Sequence, residues 1–441
     1  MIPVDLGPRE RIRRAARTGS AIAQIYLGYK GLHLLDRGPL RGVVGMARRR
    51  WDRVSAATLD GAARDLGGVL LKAGQFLSTR ADVLPPAFVE RLARLQDRAR
   101  PQPYTTVCQV IREDLGAAPE ELFARFWRRP MASASLAQVH RATLHDGREV
   151  AVKVQRVDVR AALSADLATL RVAARAIEGL EGAIGFSLLL DQLEDSLSRE
   201  LDFALEAKSA GRLAENFAGS SAVRIPAVVG EFTRTRVLVT EYLPGIRVTD
   251  RTRLTRAGVD PAAVVDALLR AYATQVFEHG LFHADPHPGN LLVLPEEGGA
   301  FALGFVDFGI VQDVPAGFRD GVLELARCVF ARDPAGTAAA LSTLGLTTRD
   351  PDARTIERFA EKLMTHLQQA GSSVAGERIS RLGNELSSLL RADPLVTLPP
   401  HLFLLGRVLG LLAGVSAQLG VRVNLARALL PSLFDTRPAA R

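Results

Sequence analysis

Residues 283–290 read HADPHPGN, a segment that fits neither a regular helix nor a regular strand. Pro286 and Pro288 lack the backbone N–H that both structures use, and each fixes its own φ angle, so the backbone here is a rigid turn. The turn presents four polar side chains: His283, Asp285, His287 and Asn290. A carboxylate, an amide and two imidazoles on rigid backbone predict a chemical site.

The oxygen-bearing side chains of this turn favour a hard metal ion. Asp285 and Asn290 are five residues apart and can converge, and the later segment FVDFG places Asp307 at the end of a predicted strand. Carboxylate and carbonyl oxygens are the ligands that Mg²⁺ prefers, together with water or phosphate. The rival hypothesis is a zinc site, because His279, His283 and His287 recur every four residues. Gly280 and the two prolines make the continuous helix that such spacing needs improbable.

Upstream, the hydrophobic pattern changes to a period of two in GREVAVKVQ, residues 147–155. The pattern predicts a strand with Val150, Val152 and Val154 on one face and Lys153 on the other. Only five of the 56 basic residues are lysines, so a lysine inside a strand suggests that a compact ammonium group is wanted there. Taken alone, Lys153 is better explained as a strand lysine that extends to solvent.

Two neighbouring segments give Lys153 a context. MASASLAQVH, residues 131–140, is a run of small residues between two predicted strands, where backbone N–H groups can approach a phosphate closely. In ELDFALEAK, residues 200–208, Asp202 and Glu206 are spaced to share one helical face, and a carboxylate there could hold the lysine.

The remaining periodicity predicts helices over residues 9–35, 61–125 and 161–217, strands in RIPAVVGEF (224–232) and TRVLVTEYL (235–243), and mainly helices after residue 248. LPPHLFLLGRVLGLLAGVSAQLGV, near the C-terminal end, is interrupted by Arg407, and its uncharged run is short of the ~18–20 residues of a spanning helix. It is predicted to be a buried helix. The order of elements predicts an α+β protein with a helical N-terminal extension, a small strand-rich lobe and a larger helical lobe.

Most of the excess positive charge lies at one end of the chain. The net charge is +8, and residues 1–60 carry 12 Arg or Lys against 5 Asp or Glu, or +7 of it. A nucleic-acid groove should charge the folded body, so binding to nucleic acid is disfavoured. The basic helix is either a solvated cap or a peripheral anchor for anionic lipid. With two distant cysteines, no signal peptide and no predicted span, the expected location is the cytoplasm, with the membrane face as a candidate site.

Together, five residues reproduce the order and spacing of the phosphoryl-transfer set of protein-kinase-like enzymes: Lys153, Glu206, Asp285, Asn290 and Asp307. The sequence resembles, from about residue 71 to 412, the UbiB/AarF-type atypical kinases associated with coenzyme Q biosynthesis. The most specific motifs are KAGQ (72–75), the alanine-rich loop, ELD (200–202), HADPHPGN and DFG.

The resemblance implies a bilobal protein-kinase-like fold that binds ATP and Mg²⁺. Asp285 is then the catalytic base, Lys153 contacts the phosphates, Glu206 supports Lys153, and Asn290 and Asp307 hold the metal. The nucleotide would contact the loop residues Ala132, Ser133, Ala134 and Ser135. Its adenine would contact the backbone of Glu241 to Leu243, and Thr240 would restrict access to the pocket. The implied domains are a basic segment (1–60), a KAGQ-bearing extension (61–125), an N-lobe (126–245) and a C-lobe (246–437).

The resemblance also implies that the helical extension covers the mouth of the active site, with Lys72 and Gln75 against Glu200 and Asp202. Such a cover excludes protein substrates and favours an ATPase or small-molecule kinase in isoprenoid-quinone or related lipid metabolism. Two alternatives stay open: a nucleotide-gated protein that binds a lipid or a partner with negligible turnover, and a small-molecule phosphotransferase. Ser133 and Ala137 depart from the more usual alanine and glycine, which affects the expected nucleotide affinity but not the fold.

Overall fold

The structure is a computed structural model that describes residues 7–36, 41–67, 70–74, 85–92, 95, 99–181, 186–348, 356–358, 360–361, 365, 395–397 and 400–422. By internal packing the chain divides into two compact units. The first comprises Met1–Leu205 and Val228–Tyr242, and the second comprises Glu206–Ala227 and Leu243–Arg441. The four predicted domain ranges stay predictions.

The first unit begins with two long helices that pack antiparallel. Asp65 accepts a hydrogen bond from Arg17 Nε at 3.0 Å, and Asp52 accepts one from Tyr29 at 2.5 Å, so the end of one helix lies beside the start of the other. The helices of this unit include α1 Pro8–Asp36, α2 Arg41–Leu66, α3 Pro86–Leu92, α4 Tyr104–Leu115, α5 Pro119–Leu122, α6 Val159–Glu181 and α7 Phe186–Glu200.

The same unit contains an antiparallel sheet in the order β1-β3-β4-β6, with β2 also paired to β3. Its strands are β1 Arg125–Phe126, β2 Ala132–Ser133, β3 Ala137–Thr143, β4 Glu149–Gln155 and β6 Val237–Glu241. The turn between β3 and β4 has Gly147 at φ 88°, a conformation that glycine adopts without strain. Val150, Val152 and Val154 are buried in one cluster with Val107 and Ile111 of α4, as the period of two predicts.

The described part of the second unit contains helices and three small sheets. β5 Val223–Arg224, β10 Phe301–Phe305, β9 Leu291–Pro295 and β7 Ile246–Arg247 pair in that order, and β8 Leu281–His283 pairs antiparallel with β11 Val311–Asp313. Further strands are β12 Thr347–Thr348 and β13 Leu395–Thr397. The helices include α8 Phe203–Asn216, which spans the division, α9 Arg251–Arg256, α10 Pro261–Phe277, α11 Phe318–Ala331, α12 Pro334–Thr343 and α13 Pro400–Leu419.

Two local predictions are wrong. RIPAVVGEF is not a continuous strand: Arg224 ends β5, Val228 forms an isolated antiparallel bridge to Thr240, and Gly230–Phe232 forms a 3₁₀ turn. Pro226 offers no N–H for a continuous ladder. Asp202 and Glu206 do not share a helical face, because α8 begins at Phe203. The Asp202 carboxylate instead accepts a hydrogen bond from Ala204 N at 3.0 Å, as a helix-capping residue does.

The C-terminal apolar segment forms α13, and Val408, Leu412, Val415 and Leu419 are buried at helical spacing. This helix packs against α10. Among the described residues, no helix combines the length and the apolarity that crossing a bilayer requires.

Candidate functional site

The loop between β8 and β9 holds Asp285 and Asn290 in a fixed relation. Asn290 Nδ2 donates a hydrogen bond to the Asp285 carbonyl at 3.3 Å, and His287 N donates to the same carbonyl at 2.7 Å. The Asn290 carbonyl accepts from Val306 N at 3.1 Å, directly before Asp307. Backbone and side-chain bonds therefore join the two predicted motifs, HADPHPGN and FVDFG, into one structure within the second unit.

His283 is the brace between these motifs. Its Nε2 lies 2.5 Å from the Asp307 carbonyl and its Nδ1 lies 3.2 Å from the Tyr272 hydroxyl. A carbonyl can only accept, so Nε2 carries the proton and Nδ1 accepts from Tyr272. Burial lowers the pKa of His283, with the Asp307 carbonyl opposing, and burial followed by the charge of Asp285 raises the pKa of Tyr272. Both groups are thus held in their neutral forms, as this tautomer requires.

Asp307 and Glu206 occupy the start of the DFG segment. The Asp307 carboxylate accepts from Gly309 N at 3.1 Å, which turns the side chain back over its own loop. Glu206, 5% exposed, accepts from Phe308 N at 3.3 Å. Glu206 therefore ties α8 to the DFG backbone, a contact that its spacing in the sequence did not indicate.

Arg407 is the residue that sequence reasoning missed. Its Nη2 donates to Asp285 Oδ1 at 2.9 Å, from a position 122 residues away along the chain. The available signal was a single cation inside an otherwise uncharged helix of 20 residues. An isolated charge in such a helix needs a partner, but the sequence could not identify which carboxylate it meets.

The donor set fits a hard cation better than zinc. Two carboxylates and an amide oxygen, from Asp285, Asp307 and Asn290, match the ligands of Mg²⁺. The histidines of the zinc hypothesis have other contacts: His279 packs edge-on against Phe217 with ring centroids 4.9 Å apart, and His287 Nδ1 accepts from Gly289 N at 3.1 Å. Within the described ranges no group of three or more His, Cys, Asp and Glu side chains could hold a metal ion.

In the first unit, Lys153 occupies the middle of β4, opposite Val139 and Leu238. Its Nζ lies 5.1 Å from the centroid of the Phe203 ring, within the range of a cation–π contact. Gln155, two residues further along β4, is buried and donates to the Leu201 carbonyl at 3.0 Å. β4 is thereby tied to the short connection between α7 and α8.

The small residues of the alanine-rich loop form a tight hairpin. Ala132 and Ser133 are in β2, opposite Val139 and Gln138, and Ala134 N donates to the Ala137 carbonyl at 2.8 Å. Ser135 is buried in the turn. The four residues predicted to meet a nucleotide thus belong to one narrow hairpin.

The KAGQ segment packs beside this loop. Lys72 Nζ donates to Glu200 Oε1, and Ala73 is buried in a cluster that includes Leu136. A Cβ on Gly74 would lie 2.6 Å from Leu95 Cδ1, so the close approach of Leu95 explains the glycine. Gln75 and Thr79 lie outside the described residues.

The residues expected to contact adenine, Glu241 to Leu243, lie at the end of β6 and just beyond it. Thr240 pairs with Ala151 and Tyr242 N donates to the Glu149 carbonyl at 3.0 Å, so Glu241 belongs to the edge of the first unit's sheet. Leu243 is buried in the second unit. The chain therefore passes from one unit to the other between Tyr242 and Leu243.

A lysine on a five-stranded sheet, an Asp- and Asn-bearing loop and a later DFG turn define the class of kinase-like proteins. The chain belongs to one family of that class: the model of the ABC1 atypical kinase-like domain matches residues 94–341. This match confirms the predicted kinase-like α+β fold and the resemblance to UbiB/AarF-type proteins.

Relatives of known name support this membership. The chain is 32% identical over 379 residues to the AarF domain-containing protein kinase 1 of Xenopus laevis, covering 85% of this chain and 72% of the relative. It is 34% identical over 327 residues to the chloroplastic ACTIVITY OF BC1 COMPLEX KINASE 8 of Arabidopsis thaliana, covering 71% of this chain. The matched part spans only 43% of that relative's length.

A solved structure is also similar. The Mycobacterium tuberculosis protein Rv3197, determined in complex with erythromycin, is 27% identical with a TM-score of 0.60, and the match covers 87% of this chain and 98% of that one.

Proposed function

We propose that this protein binds Mg²⁺-ATP and transfers the γ-phosphoryl group to a small molecule or to water. The observation that carries the proposal is the set of hydrogen bonds in the second unit that joins the loop of Asp285 and Asn290 to the backbone at Asp307. Membership of a kinase-like family supports it.

The proposed roles follow from the chemistry of each group. Asp285 accepts the proton of the attacking hydroxyl as its oxygen bonds to the γ-phosphorus, while the bond from that phosphorus to the β–γ bridging oxygen breaks and ADP leaves. Asn290 and Asp307 would hold Mg²⁺, which supplies charge neutralisation at the phosphates when bound. Lys153 contacts the phosphates, with Glu206 in support, and Ala132 to Ser135 and Glu241 to Leu243 form the nucleotide contacts.

The proposed acceptor is small because the KAGQ segment is fixed by its contacts within the first unit. The Lys72–Glu200 ion pair, the burial of Ala73 and the fit of Gly74 against Leu95 support a fixed extension. A fixed cover would exclude a protein hydroxyl and admit water or a lipid head group. The resemblance to UbiB/AarF-type proteins suggests isoprenoid-quinone or related lipid metabolism as the setting.

Calorimetric titration with Mg²⁺-nucleotide tests the binding site. Lys153→Ala removes a charge-assisted contact of about 1.5–3 kcal/mol, which corresponds to about 10- to 100-fold in affinity. Asp307→Asn should weaken binding only when Mg²⁺ is present. The exposed residues Lys208 and Asp320 provide matched controls, Lys208→Ala and Asp320→Asn, which should bind as the wild type does. Unchanged affinity in both site variants would contradict the assignment.

A turnover assay tests the acceptor class. Wild-type protein should hydrolyse ATP, faster with quinone-precursor lipids or anionic liposomes, and should phosphorylate generic peptides poorly. Lys72→Ala removes the ion pair with Glu200 and should increase peptide phosphorylation. Strong peptide phosphorylation by the wild type, unchanged in Lys72→Ala, would contradict a covering role for the extension.

A second candidate is a nucleotide-gated binding protein without turnover. The similarity to Rv3197, whose structure contains erythromycin, supports a family fold that can hold a large organic ligand. This candidate predicts that nucleotide changes the affinity for such a ligand while no phosphate is released. Measurable phosphate release that Asp285→Asn abolishes would exclude it.

A further inference from the structure

The Arg407–Asp285 pair joins the C-terminal helix to the base of the proposed reaction. The two side chains are 30% and 27% exposed, and Nη2 and Oδ1 are 2.9 Å apart. Arg407 is the one Arg or Lys of α13, and it lies beyond the 94–341 range that the family model matches.

Packing does not require an arginine at this position. Val408, Leu412, Val415 and Leu419 already form the buried stripe of α13, which packs against α10. That stripe sets the rotation of the helix and so directs the neighbouring residue, Arg407, at the loop between β8 and β9. The apolar stripe thus fixes the backbone position from which the guanidinium reaches Asp285.

The stretch of chain around the loop supplies no basic side chain of its own. No Arg or Lys occurs between Arg270 and Arg319, whereas Asp285 and Asp307 both lie in that stretch. Besides the proposed Mg²⁺ and Lys153, a further cation from elsewhere in the chain would stabilise a γ-phosphoryl group held beside two carboxylates. Within the described part of the second unit, Arg407 is the cation bonded to the base.

We propose that Arg407 is a catalytic residue that contacts the transferred phosphoryl group while it orients Asp285. Guanidinium has five N–H donors in a planar fork, and Asp285 Oδ1 engages one of its terminal nitrogens. The other donors can bond the equatorial phosphoryl oxygens, where charge is spread as the bond to the bridging oxygen breaks and the bond to the acceptor oxygen forms. The inference rests on the proposed function and adds a residue and a helix to it.

The test separates the transferred group from the rest of the nucleotide. Calorimetry would measure binding of Mg²⁺-ADP alone and with fluoroaluminate, which mimics the transferred phosphoryl group, and phosphate release would measure turnover. The variants are Arg407→Met and Arg407→Lys. Arg212→Met is the matched control, because Arg212 also pairs with a distant aspartate of the second unit, Asp313.

Arg407→Met should bind Mg²⁺-ADP as the wild type does. The increase in affinity that fluoroaluminate produces should be about 100-fold smaller, and turnover should be about 1,000-fold slower. Arg407→Lys should recover part of both, since it restores the charge without the fork. Arg212→Met should match the wild type in all three measurements.

Two outcomes would overturn the inference. A full fluoroaluminate gain in Arg407→Met would show that the arginine does not serve the phosphoryl group. An equal loss of Mg²⁺-ADP affinity in Arg407→Met and Arg407→Lys, with a lower unfolding temperature, would show a purely structural role. If the wild type binds no Mg²⁺-nucleotide, the proposed function itself fails, and this inference fails with it.

Discussion

At the scale of single residues, polar side chains take their roles from partners that are distant in sequence. His140, fully buried in β3, shows this well. Its Nδ1 donates to the Trp127 carbonyl at 2.8 Å, and its Nε2 lies 2.9 Å from Gln138 Nε2. Gln138 Oε1 accepts from Gln102 N at 2.9 Å, so the amide nitrogen donates to the imidazole. These hydrogen bonds require a neutral His140, because its Nδ1 donates to a carbonyl while its Nε2 accepts from an amide nitrogen.

The stability of the first unit should therefore depend on pH. Burial lowers the pKa of His140 below its ordinary value of 6.5, against the opposing effect of the Trp127 carbonyl. The unfolded chain then binds the proton more readily, so this stabilising contribution is present above pH 6.5 and is lost as pH falls from there toward the folded pKa.

Urea unfolding between pH 8 and pH 5 measures this loss, which is at most about 1.4 kcal/mol per pH unit. His140→Gln should be less stable at pH 8 but show a flatter pH dependence. His145→Gln, an exposed change in the turn after β3, should retain the wild-type slope. An identical slope in wild type and His140→Gln would refute the prediction.

At the scale of elements, periodicity located most strands and helices, and local chemistry decided the exceptions. β4 and β6 appear where alternation predicts them. The segment around Pro226 does not continue as a strand. Asp202 lies between α7 and α8 and caps the first turn of α8. α1 is the clearest case of an element whose surroundings could not be foreseen, since its basic face is partly buried.

Arg14 of α1 forms a buried ion pair with Asp166 of α6. Arg14 Nε donates to Asp166 Oδ1 at 2.9 Å and Nη1 donates to the Leu66 carbonyl at 2.9 Å. The side chains are 7% and 1% exposed. Burial raises the pKa of Asp166, while Arg14 acts to lower it. The basic N-terminal helix is thus anchored by one of its own charges.

Removing one partner of this pair should be costly. Arg14→Ala leaves a buried carboxylate unpaired and should lower the free energy of unfolding by about 3–5 kcal/mol. The double variant Arg14→Met with Asp166→Leu should recover much of the loss, because the pair is replaced by apolar groups. Arg13→Ala breaks the exposed pair with Glu10 and should change little. Equal effects of the two arginine variants in chemical denaturation would contradict a buried anchor.

At the scale of the whole molecule, charge and exposed apolar surface coincide at the N-terminal helices. Leu34 and Leu35 at the end of α1 and Met46 near the start of α2 are exposed, and α2 continues with the exposed Arg48, Arg49 and Arg50. The antiparallel packing of α1 on α2 places these apolar groups near one another. This surface combines the two features that attract a protein to an anionic bilayer.

We expect the basic N-terminal helices to bind anionic liposomes in a salt-sensitive manner. Each basic side chain near such a surface contributes about 1 kcal/mol, and salt shortens the range of the attraction. Flotation should show loss of binding in Leu34→Glu with Met46→Glu, and reduced binding at high salt.

Val172→Glu is a control at an exposed valine of α6, and it should float as the wild type does. Equal flotation of the wild type, the Leu34→Glu with Met46→Glu variant and Val172→Glu would favour the alternative that α1 is a solvated cap.

The sequence by itself determined the class of fold and named the residues of the proposed phosphoryl-transfer set, because period-two and helical patterns, a proline-locked turn and motif spacing are local properties. Asp285, Asn290 and Asp307 could be named from such spacing alone. Only the tertiary structure decided that Arg407 meets Asp285, that Arg14 meets Asp166 and that His283 bonds Tyr272 and Asp307. These pairs join positions far apart in the chain, and periodicity indicates which face of an element is buried but not which other element covers it.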